Sequence, residues 1–441
     1  MNILFVSLGC DKNLVDSEVM LGILASHGHR MVEDERDADV IVINTCCFIH
    51  DAKEESIQTI LEMADYKKEG TLKTLIVTGC LAQRYQKEIF EEIPEVDAVL
   101  GTASYEKIAE AVSQTLKGER RLWLEDMNFL PEAEERRMLT TGGHYAYLKI
   151  AEGCDKRCTY CIIPKIRGNY RSVPMERLVR EAGELAEGGV KELILVAQET
   201  TLYGKDLYGE KSLHKLLRKL CRIDGLRWIR ILYCYPEEID ENLIQVMKEE
   251  PKICHYLDLP IQHADDEILK KMGRRTTKSQ LIEIIQRLRE EIPDIVLRTT
   301  LITGFPGETR TQHQELLDFV NEMEFDRLGV FTYSQEEDTP AADMPEQISE
   351  EVKNDRQAEI MELQQEIAFD LAEDMIGREI IVMVEGKVAD ENAYVGRTYM
   401  DAPNVDGLIF IEAEEEMVSG DFARVRVTGA LEYDLIGELI S

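Results

Sequence analysis

Tyr145-Ala146-Tyr147-Leu148-Lys149-Ile150 runs through Ala151-Glu152-Gly153 into Cys154-Asp155-Lys156-Arg157-Cys158-Thr159-Tyr160-Cys161. The first six residues are aromatic or apolar enough to predict a strand, and the glycine beyond them marks a turn. Three cysteines then fall within eight residues. A short loop with that spacing can wrap one face of a four-iron cluster. Three thiolates for four irons leave one iron open. An amino acid's amine and carboxylate can chelate it, and the cluster can then pass an electron into a sulfonium. Zinc or plain buried thiols are the bland alternative, but a zinc knuckle needs a fourth Cys or His at close spacing and none follows.

Downstream, the strand is the first of a series. Candidate strands at 145–150, 191–197, 227–233, 255–261, 295–302 and 327–333 alternate with helical segments, including the amphipathic 279–291. Six βα units in series predict a partial parallel barrel over 140–345, with its chemistry at the C-terminal strand ends. Val196-Ala197-Gln198-Glu199-Thr200 ends the second strand and Leu257-Asp258-Leu259-Pro260-Ile261-Gln262-His263 the fourth. Arg298 lies on the fifth, which runs out through Thr300-Leu301-Ile302-Thr303-Gly304-Phe305-Pro306-Gly307-Glu308-Thr309. Each alone has an ordinary reading: Gly-Phe-Pro-Gly is often only a turn, and a histidine is often only a satisfied core residue. Their order behind a three-cysteine loop is the signal.

Upstream, residues 1–135 alternate apolar runs with helical stretches. Ile3-Leu4-Phe5-Val6, Val40-Ile41-Val42-Ile43 and Leu75-Ile76-Val77 predict strands buried on both faces of an open parallel α/β sheet. Cys10, Cys46 and Cys80 each follow one of these strands. In a parallel sheet, residues just past the C-terminal ends share one edge, so the three thiols can converge there, each beside a helix start that favours thiolate. One cysteine at a strand end is usually a small apolar filler; three at equivalent positions form a set. Cys47, Cys221, Cys234 and Cys254 fit neither pattern and read as core. Cys47 adjoins Cys46, so on an extended segment it points the opposite way.

The polar stretch Pro131-Glu132-Ala133-Glu134-Glu135-Arg136-Arg137, followed by Gly142-Gly143, reads as a linker. After the barrel, 346–376 reads as a connecting segment with one long helix over 349–375. Residues 377–441 change to short strands at 379–384, 394–399, 408–412 and 422–428, a small antiparallel β-barrel or sandwich.

The 441 residues suit about three domains. No apolar run reaches the roughly 20 residues needed to span a bilayer. The N-terminus lacks a basic region, and Leu8-Gly9-Cys10 reads as the end of a buried strand rather than a lipidation site, so a cytoplasmic chain with reduced cysteines is expected. Net charge is −35, from 86 acidic and 51 basic residues. Such a field disfavours nucleic acid unless a local basic patch overrides it, and it favours basic partners.

The cysteine loop, with its continuation Ile162-Ile163-Pro164-Lys165-Ile166-Arg167-Gly168-Asn169-Tyr170-Arg171-Ser172, resembles the radical S-adenosylmethionine superfamily and its methylthiotransferase branch in particular. The resemblance covers essentially the whole chain and extends to a TRAM-like C-terminal barrel. It implies that Cys154, Cys158 and Cys161 hold the [4Fe-4S] cluster that cleaves S-adenosylmethionine to a 5′-deoxyadenosyl radical, with Tyr160 near the adenine. It implies a second [4Fe-4S] cluster on Cys10, Cys46 and Cys80 that carries sulfur. Cofactor contacts are implied at Gln198, Glu199, Gln262, His263, Arg298, Gly304, Phe305 and Gly307. An electron donor such as a flavodoxin or ferredoxin, and a sulfur donor, are implied as partners.

Two branches of the family differ in substrate: one modifies an adenosine of transfer RNA, the other the β-carbon of an aspartate in small-subunit ribosomal protein twelve. Gly9-Cys10-Asp11-Lys12-Asn13 resembles the second, where the RNA branch has Gln-Met-Asn after its cysteine. Residues 377–441 hold five basic side chains against fourteen acidic ones, a balance of −9, where an RNA-binding barrel needs a basic face. Both features favour the basic ribosomal protein.

Overall fold

The computed structural model describes residues 1–70, 72–132, 136–389 and 392–440. Ala133, Glu134 and Glu135 of the expected linker lie outside them. The chain divides into two units that do not follow chain order. The first comprises Met1–Thr140, Ala151–Val173 and Ser334–Ala342; the second comprises Thr141–Ile150, Pro174–Tyr333 and Asp343–Ser441.

In the first unit, six parallel strands form one sheet: β1 (Asn2–Ser7), β2 (Arg30–Met31), β3 (Val40–Thr45), β4 (Thr74–Gly79), β5 (Ala98–Leu100) and β6 (Arg121–Trp123), in the order β2-β1-β3-β4-β5-β6. Alternate residues feed separate cores. Ile41, Ile43, Leu75 and Val77 enter one, while Val40, Val42 and Ile76 enter the other. Both faces are thus covered, which is why these strands read as unbroken apolar runs. Helices α1 (Asp11–Ser26), α2 (His50–Lys68), α3 (Cys80–Glu92) and α4 (Ile108–Thr115) follow β1, β3, β4 and β5.

After β7 (Tyr145–Lys149), which belongs to the second unit, the short antiparallel pair β8 (Ala151–Glu152) and β9 (Arg171–Ser172) flanks the cysteine loop and α5 (Ile163–Arg167) in the first. Ile162 and Ile166 complete the core that holds Ile41 and Leu75.

In the second unit, β10 (Glu192–Val196), β11 (Trp228–Ile231), β12 (Ile253–Asp258), β13 (Val296–Thr303) and β14 (Arg327–Thr332) join β7 in a six-stranded parallel sheet, ordered β14-β13-β12-β11-β10-β7. Strictly sequential order is the signature of repeated right-handed βα units and gives the partial barrel. A single helix, Glu350–Glu373, capped by Ser349, follows. It leads to a closed barrel of five strands: β15 (Glu379–Lys387), β16 (Ala393–Thr398), β17 (Ile409–Glu412), β18 (Phe422–Ala430) and β19 (Leu435–Leu439). The expectation of an antiparallel barrel is corrected at one seam, because β17 and β19 pair in parallel.

Buried ion pairs fix this barrel to the central sheet within the unit. Glu192 of β10 accepts from Arg230 at 2.8 Å and from Arg397 of β16 at 2.7 Å, and Arg230 also reaches the carbonyl of Tyr399 at 2.6 Å. Breaking one member would leave buried charge uncompensated, so the cluster acts as a cooperative lock. Among the described residues, no helix is long and apolar enough to cross a membrane.

Candidate active site

β1, β3 and β4 are neighbours in register, with Ser7 opposite Asn44 and Thr45 opposite Gly79. Cys10, at the cap of α1, Cys46, one residue past β3, and Cys80, the first residue of α3, therefore emerge at the same sheet edge. Cys10 is exposed, while Cys46 and Cys80 are buried. Gly9 has φ +91°, and a Cβ there would stand 2.7 Å from Cys46 Cβ and 3.0 Å from its Sγ. Only glycine permits that approach.

Neutral groups hold the loops of Cys10 and Cys46. Asn13 Nδ2 donates to the carbonyls of Leu8 and Thr45, both at 2.9 Å. Asn44 Nδ2 donates to the Asn13 carbonyl at 2.9 Å and to Ser17 Oγ at 2.8 Å. Ser56 Oγ accepts from the Cys46 amide at 3.0 Å and donates to its carbonyl at 2.9 Å.

Burial pushes the Cys46 thiol above its ordinary pKa, and the nearby Cys10 pushes the same way. Burial likewise raises Cys80, reinforced by Cys46, Cys47 and Cys10, while the Arg167 cation opposes it. Cys46 and Cys80, raised by burial and by neighbouring thiols, are poised for positive charge, and metal binding would displace their protons. Among the described residues, no three His, Cys, Asp or Glu side chains converge tightly enough for one ion. Cys47 is fully buried in the core, with its thiol pushed up to about 12 chiefly by burial.

The second cysteine set is local. Gly153 has φ +79°, and a Cβ there would lie 2.1 Å from the Asn169 carbonyl oxygen. Arg157 takes the left-handed conformation with φ +55°. These two residues curl the loop so that the Cys154 amide reaches the Gly168 carbonyl at 3.2 Å and the Cys161 amide reaches that of Cys158 at 3.1 Å. Cys154 and Cys158 are buried, and Cys161 and Tyr160 are half-buried. Six residues past Cys161, Arg167 ends α5 with its guanidinium 2.7 Å from Asp16, 3.2 Å from Glu152, 2.6 Å from Asn13 Oδ1 and 3.4 Å from Cys80 Sγ.

In the second unit, the expected cofactor contacts gather beyond the C-terminal ends of β10, β12 and β13. Gln198 and the buried Glu199 follow β10, and Glu199 Oε1 accepts from the Thr201 amide at 2.8 Å. Gln262 sits at φ +74°, fastened to β13 through Thr300 at 2.9 Å and Ile302 at 2.8 Å. That strained conformation at a strand tip holds the polar side chain in one place. His263 is fully buried, and its Nδ1 accepts from the Asp265 amide at 3.0 Å.

Glu308 organises the loop after β13. Its Oε2 accepts from the Phe305 amide at 3.1 Å and from the Gly304 amide, while Oε1 lies 3.3 Å from Arg356. Phe305 is fully buried edge-on against Tyr333, which gives it a packing role, and Gly307 takes φ +76°. Arg298 is placed differently from these residues. It pairs with Asp258 at 2.9 Å and with Asp406 of the C-terminal barrel at 3.3 Å, so it serves the seam between sheet and barrel.

Three family models match in chain order: uncharacterized protein family UPF0004 over residues 2–101, the Radical SAM superfamily over 148–320 and the TRAM domain over 376–440. The chain is 65% identical over 437 residues to the ribosomal protein uS12 methylthiotransferase RimO of Lachnoclostridium phytofermentans, covering 99% of each. This chain belongs to the RimO family. RimO proteins of Desulforamulus reducens and Clostridioides difficile are 52% and 50% identical, each covering 98% of both chains. The radical S-adenosylmethionine methyltransferase TsrM of Kitasatospora setae shares the fold at 14% identity, with a TM-score of 0.56 over 85% of this chain and 78% of that one.

Cysteine spacing in the sequence gives no role to Asn13, Asn44, Ser56, Arg167 or Glu308. Asn13, Arg167 and Glu308 stand inside motifs that carry a cysteine or glycine signal, and Asn44 stands two residues before Cys46, so proximity to those residues was the available signal. Ser56 carried none, since its partner lies ten residues away across a turn.

Proposed function

We propose that this chain attaches a methylthio group to the β-carbon of an aspartate in ribosomal protein uS12, using two [4Fe-4S] clusters and S-adenosylmethionine. The supporting observation is that six cysteines, in two sets of three, belong to one compact unit. When bound, the clusters and S-adenosylmethionine would supply a radical able to remove hydrogen from an unactivated C–H bond, and a sulfur that can be methylated; side-chain acids and bases cannot activate such a bond in water.

The chain's own residues hold and orient these groups. Cys154, Cys158 and Cys161 would ligate one cluster and leave one iron for the amino-acid end of S-adenosylmethionine. Cys10, Cys46 and Cys80 would ligate the other, with Asn13, Asn44 and Ser56 fixing the loops of the first two. Tyr160, Gln198, Glu199, Gln262, His263, Gly304 and Gly307 are the proposed contacts to S-adenosylmethionine, with Glu308 shaping the last of these loops. A reductant such as a flavodoxin or ferredoxin and a sulfur donor complete the reaction.

The C-terminal barrel supports a basic protein partner over RNA. Of its five basic residues, Arg397 is buried in the Glu192 cluster, and Arg424 and Arg426 are paired with Glu379. What remains on its surface is mainly acid, which suits a cationic ribosomal protein. The test is anaerobic reconstitution followed by separate incubation with uS12 and with transfer RNA. A methylthio mass gain on uS12 alone is expected; modification of RNA alone would overturn the substrate assignment.

A further inference from the structure

Arg167 is 2% exposed and belongs to the segment that carries Cys154, Cys158 and Cys161, yet its side chain ends among the residues around Cys80. Its two amino nitrogens do different work. Nη1 is taken by Asp16 at 2.7 Å and Glu152 at 3.2 Å, both buried, and these carboxylates anchor the planar fork. Nη2 is thereby aimed at Asn13 Oδ1, 2.6 Å away, and at Cys80 Sγ, 3.4 Å away. Two carboxylates already over-compensate one guanidinium, so ion pairing alone does not require the second nitrogen to face sulfur. Lysine could not reproduce this, because it offers a point charge rather than a rigid fork.

We propose that Arg167 is a positioning residue that donates a hydrogen bond to the Cys80 thiolate of the N-terminal cluster, setting that cluster's reduction potential and anchoring it to the segment that holds the other three cysteines. A hydrogen bond and a buried positive charge at a ligating sulfur stabilise the reduced cluster, so the potential rises. The helix between Cys161 and Arg167 is one short turn-and-a-half, five residues long, which makes the link between the two thiol sets stiff. A sulfur-carrying cluster held this way would be kept from drifting in potential or position when its open iron changes ligand.

The inference rests on Cys10, Cys46 and Cys80 being cluster ligands, and the experiment separates the two claims. The full chain carrying Cys154→Ala, Cys158→Ala and Cys161→Ala is reconstituted anaerobically with iron and sulfide, so that any cluster present is the N-terminal one. No cluster in that background would remove the ligand reading itself. With a cluster present, its midpoint is titrated by electron paramagnetic resonance with Arg167 intact and in Arg167→Gln and Arg167→Lys. The expected result is a more negative midpoint in Arg167→Gln, with Arg167→Lys lying between. In the reciprocal background, Cys10→Ala, Cys46→Ala and Cys80→Ala, the midpoint of the other cluster should not respond to Arg167→Gln. An unchanged N-terminal midpoint at full iron content would overturn the proposal. Loss of iron from the N-terminal site alone in both variants would support the anchoring role, whereas loss from both sites marks general unfolding and counts against it.

Discussion

The loops that carry the N-terminal cysteines and the loop that follows β13 solve one problem with opposite chemistry. Around Cys46 and Cys10, amide and hydroxyl groups of Asn13, Asn44 and Ser56 tie strand-end backbone together. Beyond β13, a buried carboxylate does it: Glu308 gathers the amides of Gly304 and Phe305 and faces His263, His313 and Arg356. Neutral clamps beside thiols add no charge that would compete with a cluster's own. An ionic clamp is stronger per contact but depends on protonation. The two regions should therefore answer mutation and pH differently.

The largest expected effect breaks the thiol edge outright. Replacing Cys10, Cys46 and Cys80 together by alanine should halve the iron bound after anaerobic reconstitution and abolish methylthio transfer. Reductive cleavage of S-adenosylmethionine to 5′-deoxyadenosine should survive, read by chromatography. Loss of cleavage as well would mean that the two cysteine sets are not separable in function.

Next is Gly9→Ala. The new methyl would face Cys46 at 2.7 Å from its Cβ, on backbone at φ +91°. Left-handed strain and overpacking together cost on the order of 2–4 kcal/mol. The chemical denaturation midpoint should fall, and iron loading of the N-terminal set with it. The loop after β13 should be untouched, which its own acid response would report.

That acid response is the third effect. Burial alone would raise the Glu308 carboxyl, but His263, His313 and Arg356 outweigh it and hold the pKa down to about 2. A depressed carboxyl contributes stability that is fully present above its ordinary pKa of about 4.5 and is lost as pH falls through about 2. The shift corresponds to roughly 3 kcal/mol at neutral pH. Glu308→Gln should therefore be less stable than the parent at pH 7, with the gap closing between about pH 4.5 and 2 in urea titrations. A gap that persists at pH 2 would mean that the clamp works by shape rather than charge.

Much of this is legible in the sequence. Runs such as Val40–Ile43 announce strands because both faces are buried, and the three cysteines announce one edge because parallel strands share a direction. Short strands escaped: Arg30–Met31, Ala98–Leu100 and Arg121–Trp123 are too brief to show a period, and Gly437 and Glu438 blur the apolar pattern of Leu435–Leu439. Arg298 shows a different limit. Its position on the fifth barrel strand was readable, but its partner Asp406 lies 108 residues on, in another barrel. Asn13 and Asn44 were visible beside their cysteines, while their pairing across 31 residues was a product of sheet order alone.

The smallest effect sharpens the contrast most. Ser56→Ala removes one hydroxyl that both accepts from the Cys46 amide and donates to its carbonyl. Ser56 is fully buried, so water cannot readily replace it, and an orphaned buried amide costs about 1–3 kcal/mol. Because no charge is involved, that loss should stay constant between about pH 4.5 and 2 in urea titrations, the window in which the loss caused by Glu308→Gln closes. Cys46 would also gain freedom at its backbone, so the N-terminal cluster should load less completely while the cluster on Cys154, Cys158 and Cys161 keeps its iron. Serine's two-way bond is the only feature removed, and Ser56→Thr, which keeps the hydroxyl, should restore most of the loading. If alanine and threonine behave alike, the hydroxyl is not what holds Cys46 at the edge.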